Sequence, residues 1–275
     1  MGSVENGRVE LLPAQRHARI IEHLRRDTVA SIRELTLALG ASDSTVRRDL
    51  CYLVAQGYLD RTHGGAIIRN QPSARFEPDQ RIAAELERPQ KQAIGALAAQ
   101  RVADGESVIL DASSTVKAAA ASILDRELAL TVVTNDLNCA QMIARSQRGS
   151  VTVTGGTIRP GTTTLIGEPA RGFLSGVHVD VAFVGVHTIS DGVFTETSLE
   201  VAGIKQRMIG AAKRVIVLAD SAKFAPPSFC EICRFDEVDE VITDAGASAA
   251  QIEAVRSAGC SCTVADVTAR RDPDP

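Results

Sequence analysis

Residues 41–68 read ASDSTVRRDLCYLVAQGYLDRTHGGAII, and this stretch decides the fold of the first part of the chain. Ser42 or Asp43 caps a helix whose apolar side chains recur at helical spacing, and Gly57 ends that helix. The residues that follow predict two short strands joined by a turn that contains His63-Gly64-Gly65. We therefore expect a helix followed by a β-hairpin.

Two further helices are predicted before this stretch. Apolar side chains recur at helical spacing over residues 15–25. Ser31 and Glu34 form a capping-box pattern for the next helix, and Gly40 ends it as a C-terminal glycine does. Three helices and a hairpin predict a small winged helix-turn-helix domain, to which we assign residues 14–69.

The third helix of this domain carries its apolar side chains on one face and polar side chains on the other. Arg can bind guanine through two hydrogen bonds, and Ser and Thr can contact phosphates or base edges, so the polar face suits the major groove of DNA. The turn of the hairpin adds a wing that can approach the sugar-phosphate backbone. The alternative interpretation is that Arg47 and Arg48 lie on an ordinary solvated helix surface. The candidate DNA-binding residues are Ser42, Ser44, Thr45, Arg47, Arg48, Tyr52, His63 and Gly64.

Charge is distributed unevenly along the 275 residues, although the formal net charge is only −4. The first 70 residues carry ten Arg and eight acidic residues, whereas the rest carries twenty basic and twenty-six acidic residues. A mildly basic beginning and an acidic remainder predict two functional parts. No apolar run approaches the roughly 20 residues that span a membrane, and the first 13 residues contain no export signal. We therefore expect a cytoplasmic protein that does not contact membranes.

The remainder of the chain predicts a different architecture. Pro72, Pro78 and Pro89 mark residues 70–90 as a linker with room for one helix. After the linker, short β-branched strands alternate with helices, which predicts an α/β domain with a mostly parallel sheet over residues 91–270. The predicted strands of this domain are 107–111, 130–134, 151–154, 179–186, 215–219, 240–243 and 262–265.

Polar loops follow several of these strands. Asp111-Ala-Ser-Ser-Thr115 runs directly into a helix, where unpaired N–H groups and the helix dipole favour an anion. Ligands of open α/β sheets bind beyond the carboxyl ends of the strands, so we expect the loops to converge on one anionic ligand. Each of these side chains, taken singly, could also be a helix cap or part of an ion pair. The candidate residues of these loops are Asp111, Ser113, Ser114, Thr115, Thr134, Asn135, Gly155, Gly156, Asp220 and Lys223.

Four cysteines fall in two close pairs, which raises the question of a zinc site. Cys230-x-x-Cys233 and Cys260-x-Cys262 have a tolerable spacing, but neither pair lies in a Gly-rich knuckle. Cys262 alternates with apolar neighbours as in a buried strand, where a free cysteine behaves as a small hydrophobic residue. We expect no metal and no cofactor.

Motifs in the first part of the chain stand at a distinctive mutual spacing. They are Ser44-Thr-Val-Arg-Arg-Asp-Leu50, Gly57-Tyr-Leu and Arg61-Thr-His-Gly-Gly-Ala66. Together they resemble the winged-helix domain of the DeoR family of bacterial transcriptional regulators. The lead-in from Arg19 to Leu24 is also similar to that family's pattern.

The second part resembles the C-terminal sensor domain of the same family, which is related in fold to ribose-5-phosphate isomerase. The loop motifs above match in order, as do Phe183-Val-Gly185, Asp191-Gly192 and the helix around Lys205. Where Ser113 stands, the family pattern has Gly in its phosphate loop, so a side chain is added where the backbone must come close to a ligand. The resemblance adds Asp191 and Lys205 to the candidate effector site. Glu196 is added as a further carboxylate that could hydrogen-bond the hydroxyl groups of a sugar.

The resemblance implies a regulator with two binding partners. One is a double-stranded DNA operator, and the other is a phosphorylated sugar or related metabolite that changes operator affinity. The implied function is repression of a sugar or carbohydrate operon by a homo-oligomer, a dimer or a tetramer.

Two other functions stay open on the residues alone. A sugar-phosphate isomerase-like enzyme needs a general base that works near pH 7, and Asp191, Glu196 or Asp220 could supply its carboxylate. A constitutive DNA-binding protein would use its second domain only to oligomerise.

Overall fold

The computed structural model describes residues 11–69 and 73–267 of the chain. The chain divides into two compact units, an N-terminal unit, Met1–Leu86, and a C-terminal unit, Glu87–Pro275. Each unit has a buried apolar core of its own. Each can therefore be treated as a separate fold.

The N-terminal unit combines helices with a three-stranded antiparallel sheet, in which the strand order is β1-β3-β2. Its described helices are α1 (Pro13–Asp27), α2 (Ile32–Leu39), α3 (Asp43–Ala55) and α4 (Gln80–Glu85). Its described strands are β1 (Val29–Ser31), β2 (Leu59–Thr62) and β3 (Gly65–Ile68). The helices and the hairpin confirm the expected elements, whereas β1 has only three residues, too few to show a periodic pattern.

Local sequence signals set the ends of these helices. The Ser31 Oγ accepts a hydrogen bond from the Glu34 N–H, and the Glu34 carboxylate accepts one from the Ser31 N–H at 2.7 Å, which completes the expected capping box. Gly40 ends α2 with φ of +63°, a left-handed conformation that glycine adopts without strain. Of the two candidate caps of α3, the structure uses Ser42.

The core of the N-terminal unit extends into the segment that the sequence assigns to a linker, residues 70–90. Helix α4 packs against α1, and Ile82 and Leu86 are buried in the same core as the other helices of the unit. Burial of these two apolar side chains makes Gln80–Leu86 part of the N-terminal unit, and the first helix of the C-terminal unit already begins at Arg88.

The C-terminal unit alternates strands and helices along its length. Its described helices are α5 (Arg88–Ala99), α6 (Ser114–Leu124), α7 (Leu137–Ile143), α8 (Glu168–Leu174), α9 (Leu199–Gly210) and α10 (Ala249–Ser257), with short 3-10 helices at Ser221–Lys223 and Phe235–Glu237. Its described strands are β4 (Ser107–Leu110), β5 (Thr131–Thr134), β6 (Ser150–Val153), β7 (Thr157–Ile158), β8 (Leu165–Ile166), β9 (Val179–Val184), β10 (Thr188–Ser190), β11 (Val193–Glu196), β12 (Ala212–Leu218), β13 (Cys230–Arg234), β14 (Glu240–Asp244) and β15 (Ser261–Ala265).

Within the described residues, seven parallel strands form one sheet in the order β15-β14-β12-β9-β4-β5-β6. The chain moves outward from β4 through β5 to β6, returns to place β9 on the other side of β4, and then continues outward through β12, β14 and β15. The order of the strands therefore reverses between β4 and β9. We call the space beyond the carboxyl ends of these two strands the switch crevice, the place where ligands bind in open α/β sheets. The sheet confirms the α/β fold class expected from the sequence.

Both faces of this sheet are covered. Ile109 and Val133 pack into the apolar core on one face, and their chain neighbours Val108 and Val132 pack into the core on the other face. Because alternate side chains of a strand point to opposite faces, a strand that is buried on both sides must be apolar throughout. This explains the continuous apolar runs of the central strands.

Several short strands lie outside the expected pattern. β7 pairs with β8, and β10, β11 and β13 form a small antiparallel sheet. These strands lie outside the alternation of parallel strands and helices, so their position depends on antiparallel pairing partners rather than on that pattern. No helix in the described part of the chain has the length and apolar character needed to cross a bilayer.

Candidate DNA-binding surface and effector site

The N-terminus of α3 carries three of the candidate hydroxyl groups. The Ser42 Oγ accepts a hydrogen bond from the Thr45 N–H at 3.3 Å and lies 2.9 Å from both the Ser44 Oγ and the Thr45 Oγ1. Ser42 and Ser44 are exposed, and Thr45 is half-buried. The hydroxyl groups therefore hold one another at the start of a helix whose N-terminus favours a phosphate.

Arg47 and Arg48 are both exposed on α3, as expected. Arg61 of β2 joins them, because its guanidinium donates hydrogen bonds to the Arg47 carbonyl oxygen at 3.4 Å and to the Cys51 Sγ at 2.8 Å. Sequence reasoning missed Arg61 as a surface residue of this helix, although it lies in the quoted motif that ends at Ala66. The exposed face of α3 is thus flanked by a third guanidinium that comes from β2.

The wing is the turn between β2 and β3, where His63 and Gly64 are exposed. Gly64 has φ of +89°, in the region that glycine adopts most easily. Gly65 is required for a different reason: a Cβ there would overlap the Ala30 carbonyl group, where β3 pairs with β1. One glycine shapes the turn, and the other allows the close approach of the neighbouring strand.

The structure corrects the assignment of Tyr52. Its ring stacks on His17 with the ring centroids 4.8 Å apart, and its hydroxyl donates a hydrogen bond to the Asp79 carboxylate at 3.3 Å. The tyrosine is half-buried and ties α3 to α1, while Cys51 occupies the exposed position next to it. A large ring with a polar end gains more from this packing than from exposure. Tyr52 is therefore a structural residue rather than part of the DNA-facing surface.

Asp49, the acidic residue that follows Arg47 and Arg48, has a structural role. It is buried, and its carboxylate accepts hydrogen bonds from the Arg16 Nε at 2.8 Å and lies 3.0 Å from the His17 Nε2. Burial alone would raise the pKa of Asp49, but its bonds to His17 and Arg16 outweigh burial and hold the pKa below its usual value. The acidic residue of the Arg-Arg-Asp-Leu motif therefore fastens α3 to α1.

In the C-terminal unit, a buried charge cluster lies at the switch crevice. We define this charge cluster as Asp111, which follows β4, Glu196, which ends β11, and Lys205, which lies in α9. The Lys205 Nζ is 2.8 Å from the Glu196 Oε2 and 3.4 Å from the Asp111 Oδ2. Asp111 is 1% exposed, Glu196 7% and Lys205 4%, so water contributes little to the solvation of their charges.

Gly185, which follows β9, connects the charge cluster to the backbone. Its N–H donates a hydrogen bond to the Asp111 Oδ2 at 3.0 Å, and its carbonyl oxygen accepts one from the Lys205 Nζ at 2.7 Å. The loops after β4 and β9 are thus joined across the switch crevice. This is the place that strand order alone identifies as a ligand site.

The charges of the cluster are strongly coupled. Burial would lower the pKa of Lys205, but Asp111 and Glu196 raise it above its usual value. Burial would raise the pKa of Glu196, but Lys205 holds it at about 2, whereas burial raises the pKa of Asp111 despite the same lysine. One cation thus faces two carboxyl groups. A cluster of this composition can accept hydrogen bonds from hydroxyl groups, but it has no surplus positive charge for a phosphate.

The loop that follows Asp111 leads into α6. The Ser113 Oγ caps this helix by accepting a hydrogen bond from the Val116 N–H at 3.1 Å. Ser114 is half-buried at the first position of the helix, and Thr115 is buried. The loop thus brings serine and threonine hydroxyl groups to a helix N-terminus, where the helix dipole favours an anion.

Thr134 and Asn135 reach this loop but are used to hold it. The Thr134 Oγ1 donates a hydrogen bond to the Leu110 carbonyl oxygen at 2.6 Å, and the Asn135 Oδ1 accepts one from the Ala112 N–H at 2.9 Å. Both side chains are buried, with at most 1% exposed. Their contribution to a ligand site is therefore to fix the backbone after β4.

The remaining candidates lie at other strand ends. Gly155 and Gly156 follow β6 with φ of +71° and +109°. Asp220 and Lys223 follow β12, and buried Asp220 lies 3.4 Å from the Nζ of buried Lys91 on α5. The ends of β6 and β12 are four strand positions apart, or about 19 Å at the usual strand spacing. The loops after these strands therefore begin on opposite sides of the switch crevice.

The structure places Asp191 away from the charge cluster. Asp191 is exposed in the turn between β10 and β11, and its φ of +51° is typical of an Asp-Gly hairpin turn. Glu196 ends β11, about 10 Å further along that strand. The Asp191-Gly192 motif is thus explained by turn geometry, and we remove Asp191 from the candidate effector-binding residues.

The cysteines are buried or have partners. Burial raises the pKa of Cys233 and of Cys260 to about 12, which keeps both as protonated thiols. The Cys230 Sγ lies 3.2 Å from the Glu196 carbonyl oxygen, so this residue adjoins the charge cluster, a contact that the sequence did not reveal. Among the described residues, no three His, Cys, Asp or Glu side chains are grouped as metal ligands.

Comparison with known families agrees with this geometry. A model described as a DeoR-like helix-turn-helix domain matches residues 16–72, and one described as the DeoR C terminal sensor domain matches residues 87–245. The chain belongs to the DeoR family. This DeoR-family protein is a DNA-binding transcriptional regulator rather than an enzyme.

Relatives of this DeoR-family protein carry the names of regulators. The putative aga operon transcriptional repressor of Escherichia coli O157:H7 is 31% identical and aligns with 90% of this chain and 91% of that protein. The HTH-type transcriptional repressor GlcR of Bacillus subtilis is 34% identical over 84% of this chain and 88% of that protein. The transcriptional repressor AccR of Agrobacterium fabrum is 31% identical over 84% of this chain and 89% of that protein.

Solved structures show more distant likenesses, which concern the fold alone. Ribose 5 phosphate isomerase A of Neisseria gonorrhoeae matches 52% of this chain and 54% of that chain, with 14% identity and a TM-score of 0.36. The translation initiation factor eIF-2B of Pyrococcus horikoshii OT3 matches 86% of this chain and 90% of that chain, with 17% identity and a TM-score of 0.43.

The pKa of Glu196 argues against this residue as the general base of the isomerase-like alternative. A general base works best when its pKa lies near the operating pH. Lys205 holds the pKa of Glu196 at about 2, so this carboxylate is a weak base at neutral pH.

Proposed function

We propose that the protein represses an operon of carbohydrate metabolism and that a phosphorylated sugar bound in the C-terminal unit changes its affinity for the operator. The repressors named among its relatives support the first part of this proposal. The observation that carries the second part is the charge cluster beside the first turn of α6. A regulator of this kind acts on the chromosome, and we propose the cytoplasm as its compartment.

The N-terminal unit reads the operator with α3. Arg47 and Arg48 are exposed on this helix and contact base edges in the major groove, while the hydroxyl groups at its N-terminus contact phosphates. His63 and Gly64 in the wing approach the neighbouring backbone. The ten arginines and eight acidic residues of the first 70 residues give this part little net charge, so its specific contacts carry much of the affinity.

The C-terminal unit offers two different environments within one crevice. The charge cluster presents carboxylate oxygens, which accept hydrogen bonds from the hydroxyl groups of a sugar. The first turn of α6 presents backbone N–H groups and the hydroxyl groups of Ser113 and Ser114, which suit a phosphate. A ligand with a hydroxyl-rich part and an anionic part matches both environments, and a phosphorylated sugar has this composition.

Regulation follows if the ligand binds one conformation of the protein more tightly than another. We propose that the chain forms a homo-oligomer, a dimer or a tetramer, whose N-terminal units bind half-sites about one DNA turn apart or a multiple of it. Coupling between two such sites is typically about 1–3 kcal/mol, which corresponds to a roughly 5- to 150-fold change in operator affinity.

Footprinting on the DNA upstream of the protein's own gene tests the proposal. The full-length protein is titrated alone, with inorganic phosphate, and with a panel of sugar phosphates and their unphosphorylated sugars. We expect a protected site whose affinity changes at least fivefold with one sugar phosphate and does not change with the matching free sugar. An affinity that no member of the panel alters, together with no binding of the panel by calorimetry, would contradict the sensor proposal.

A further inference from the structure

Ser113 and Gly185 face each other across the switch crevice. A Cβ added to Gly185 would overlap the Cβ and the Oγ of Ser113, so the serine side chain already fills the space above this glycine. The backbone of Gly185 is not left-handed. Glycine is therefore required here by the space that Ser113 occupies rather than by φ. The two positions share a single side-chain volume.

This shared volume lies between the two environments of the proposed ligand site. Ser113 caps α6, whose first turn suits the anionic part of the ligand. Gly185 donates its N–H to Asp111 and accepts a hydrogen bond from Lys205, so it adjoins the charge cluster that suits hydroxyl groups. A ligand that bridges the two environments has to pass the Ser113 side chain.

We infer that Ser113 is a specificity-determining residue that limits the length of the carbon chain the effector site accepts. This inference rests on the proposed function, because it concerns the same ligand. The Cβ and Oγ of Ser113 take up the room of about one carbon and its hydroxyl group between the α6 N-terminus and Gly185. The site therefore prefers the shorter members of a series of sugar phosphates.

The hydroxyl group of Ser113 has a separate role that must be distinguished from its volume. It caps α6, so any replacement that lacks the hydroxyl weakens the first turn of the helix regardless of the space it opens. Ser113→Ala removes the cap but keeps the Cβ. Ser113→Gly removes both, and the comparison of the two variants isolates the volume of the Cβ.

The experiment measures calorimetric dissociation constants of the full-length protein for three- to six-carbon sugar phosphates. The readout is the ratio of affinities for the longest and shortest members that bind. Ser113→Gly is expected to shift this ratio roughly tenfold or more toward the longer sugar, the order of selectivity that one small group produces in a binding pocket. Ser113→Ala is expected to shift the ratio in the same direction by a smaller factor, since it loses the Oγ but its Cβ stays in place.

A compensating variant provides the sharpest control. In Ser113→Gly combined with Gly185→Ala, the new Cβ occupies the volume that the serine has left, and the preference is expected to return toward that of the wild type. Gly185→Ala alone should unfold at a lower temperature, because its Cβ overlaps Ser113. Ser113→Thr keeps the hydroxyl and adds a methyl group, so its preference should move toward the shorter sugars.

The outcomes separate this inference from the function on which it rests. An unchanged ratio in Ser113→Gly, or equal shifts in Ser113→Gly and Ser113→Ala, would overturn the role of the side-chain volume while leaving the sensor function intact. A wild-type protein that binds no sugar phosphate would overturn the sensor function and the inference together. If Ser113→Gly does not fold, the ratio measured for Ser113→Thr decides the question by the same criterion.

Discussion

Asp49 and Glu196 are buried acids that keep their charge because a basic partner is fixed beside each of them. Arg16 and His17 contact Asp49 in the N-terminal unit, and Lys205 contacts Glu196 in the C-terminal unit. The pKa of each acid is below its usual value, although burial acts in the opposite direction. Removing one partner would leave a buried charge without compensation, so these residues matter more for the fold than their small number suggests.

Replacing Asp49 with Asn tests this role. The variant removes the negative charge that Arg16 and His17 share, and we expect the free energy of unfolding of the N-terminal unit to fall by about 2–4 kcal/mol at pH 7. The measurement is urea unfolding of the full-length protein, followed by the fluorescence of Tyr52 and Tyr58 in that unit. Asp60→Asn is a matched control, because Asp60 is exposed and pairs with Arg69 at the surface.

The same variant gives a pH dependence whose sign is fixed. The pKa of Asp49 is lower in the folded protein, so its stabilising contribution is fully present above the unfolded pKa of about 3.9 and is lost as the pH falls through the folded value. The difference in stability between wild type and Asp49→Asn should therefore shrink as the pH falls below about 4. A difference that does not shrink below this pH would show that another group is responsible.

Arg48 provides the test of the DNA-facing surface. Replacing it with Ala removes a guanidinium from the exposed face of α3, and we expect operator affinity to fall by about 1–3 kcal/mol. Binding of the sugar phosphate should stay unchanged, since Arg48 belongs to the other unit. Anisotropy titration with operator DNA measures the loss, and Arg145→Ala removes an exposed arginine from the C-terminal unit as the control. An equal loss of both activities would contradict the division of labour.

Single residues also show where sequence reasoning ends. The exposure of Arg47 and Arg48 follows from helical periodicity, and that prediction is confirmed. The same periodicity places Tyr52 on the exposed face, but a ring of this size turns to reach His17 and Asp79. A local sequence pattern does not predict contacts with residues that are distant along the chain. The contact of Arg61 with α3 could not be predicted for the same reason.

At the level of elements, the hairpin of the N-terminal unit depends on two adjacent glycines with different roles. We expect Gly65→Ala to lower the free energy of unfolding by more than 2 kcal/mol, because its Cβ overlaps the Ala30 carbonyl group on β1. Gly64→Ala should cost only about 1 kcal/mol, since its Cβ meets no neighbour and only the positive φ is unfavourable. Urea unfolding of the two variants compares these costs directly, and equal losses would mean that β1 moves away without resistance.

Elements differ in how well the sequence predicts them. The seven strands of the parallel sheet were all predicted, because short apolar β-branched runs alternate with helices. The strands β7, β8, β10, β11 and β13 were not, since they lie outside this alternation and gain their stability from an antiparallel partner. The sequence assigns Asp191 to the effector site because it does not predict the hairpin of β10 and β11. The structure shows that Asp191 forms the turn of this hairpin.

At the scale of the whole molecule, charge is used differently in the two units. Arginines of the N-terminal unit are exposed on α3, where DNA can reach them. In the C-terminal unit, Lys205 and Lys91 are buried beside carboxylates, so these lysines do not provide an open cationic surface. From the sequence, the sheet could be predicted as mostly parallel but its strand order could not. Asp111, Glu196 and Lys205 are candidate effector-site residues in the sequence analysis, but their ion pairs could not be predicted because the three residues come from separate parts of the chain.

Because each unit has its own core and its own proposed partner, ligands should stabilise the units separately before any coupling is considered. Hydrogen exchange of the full-length protein, read by mass spectrometry, measures this peptide by peptide. Operator DNA is expected to slow exchange in α3 and the wing, and the sugar phosphate is expected to slow it in residues 111–117 and around Gly185, where backbone N–H groups adjoin the switch crevice. Any second effect that appears in the other unit then reports the coupling. Because linkage is reciprocal, operator DNA should change the affinity for the sugar phosphate by the same factor as the sugar phosphate changes operator affinity. Protection by the sugar phosphate that spares residues 111–117 would place its site outside the switch crevice.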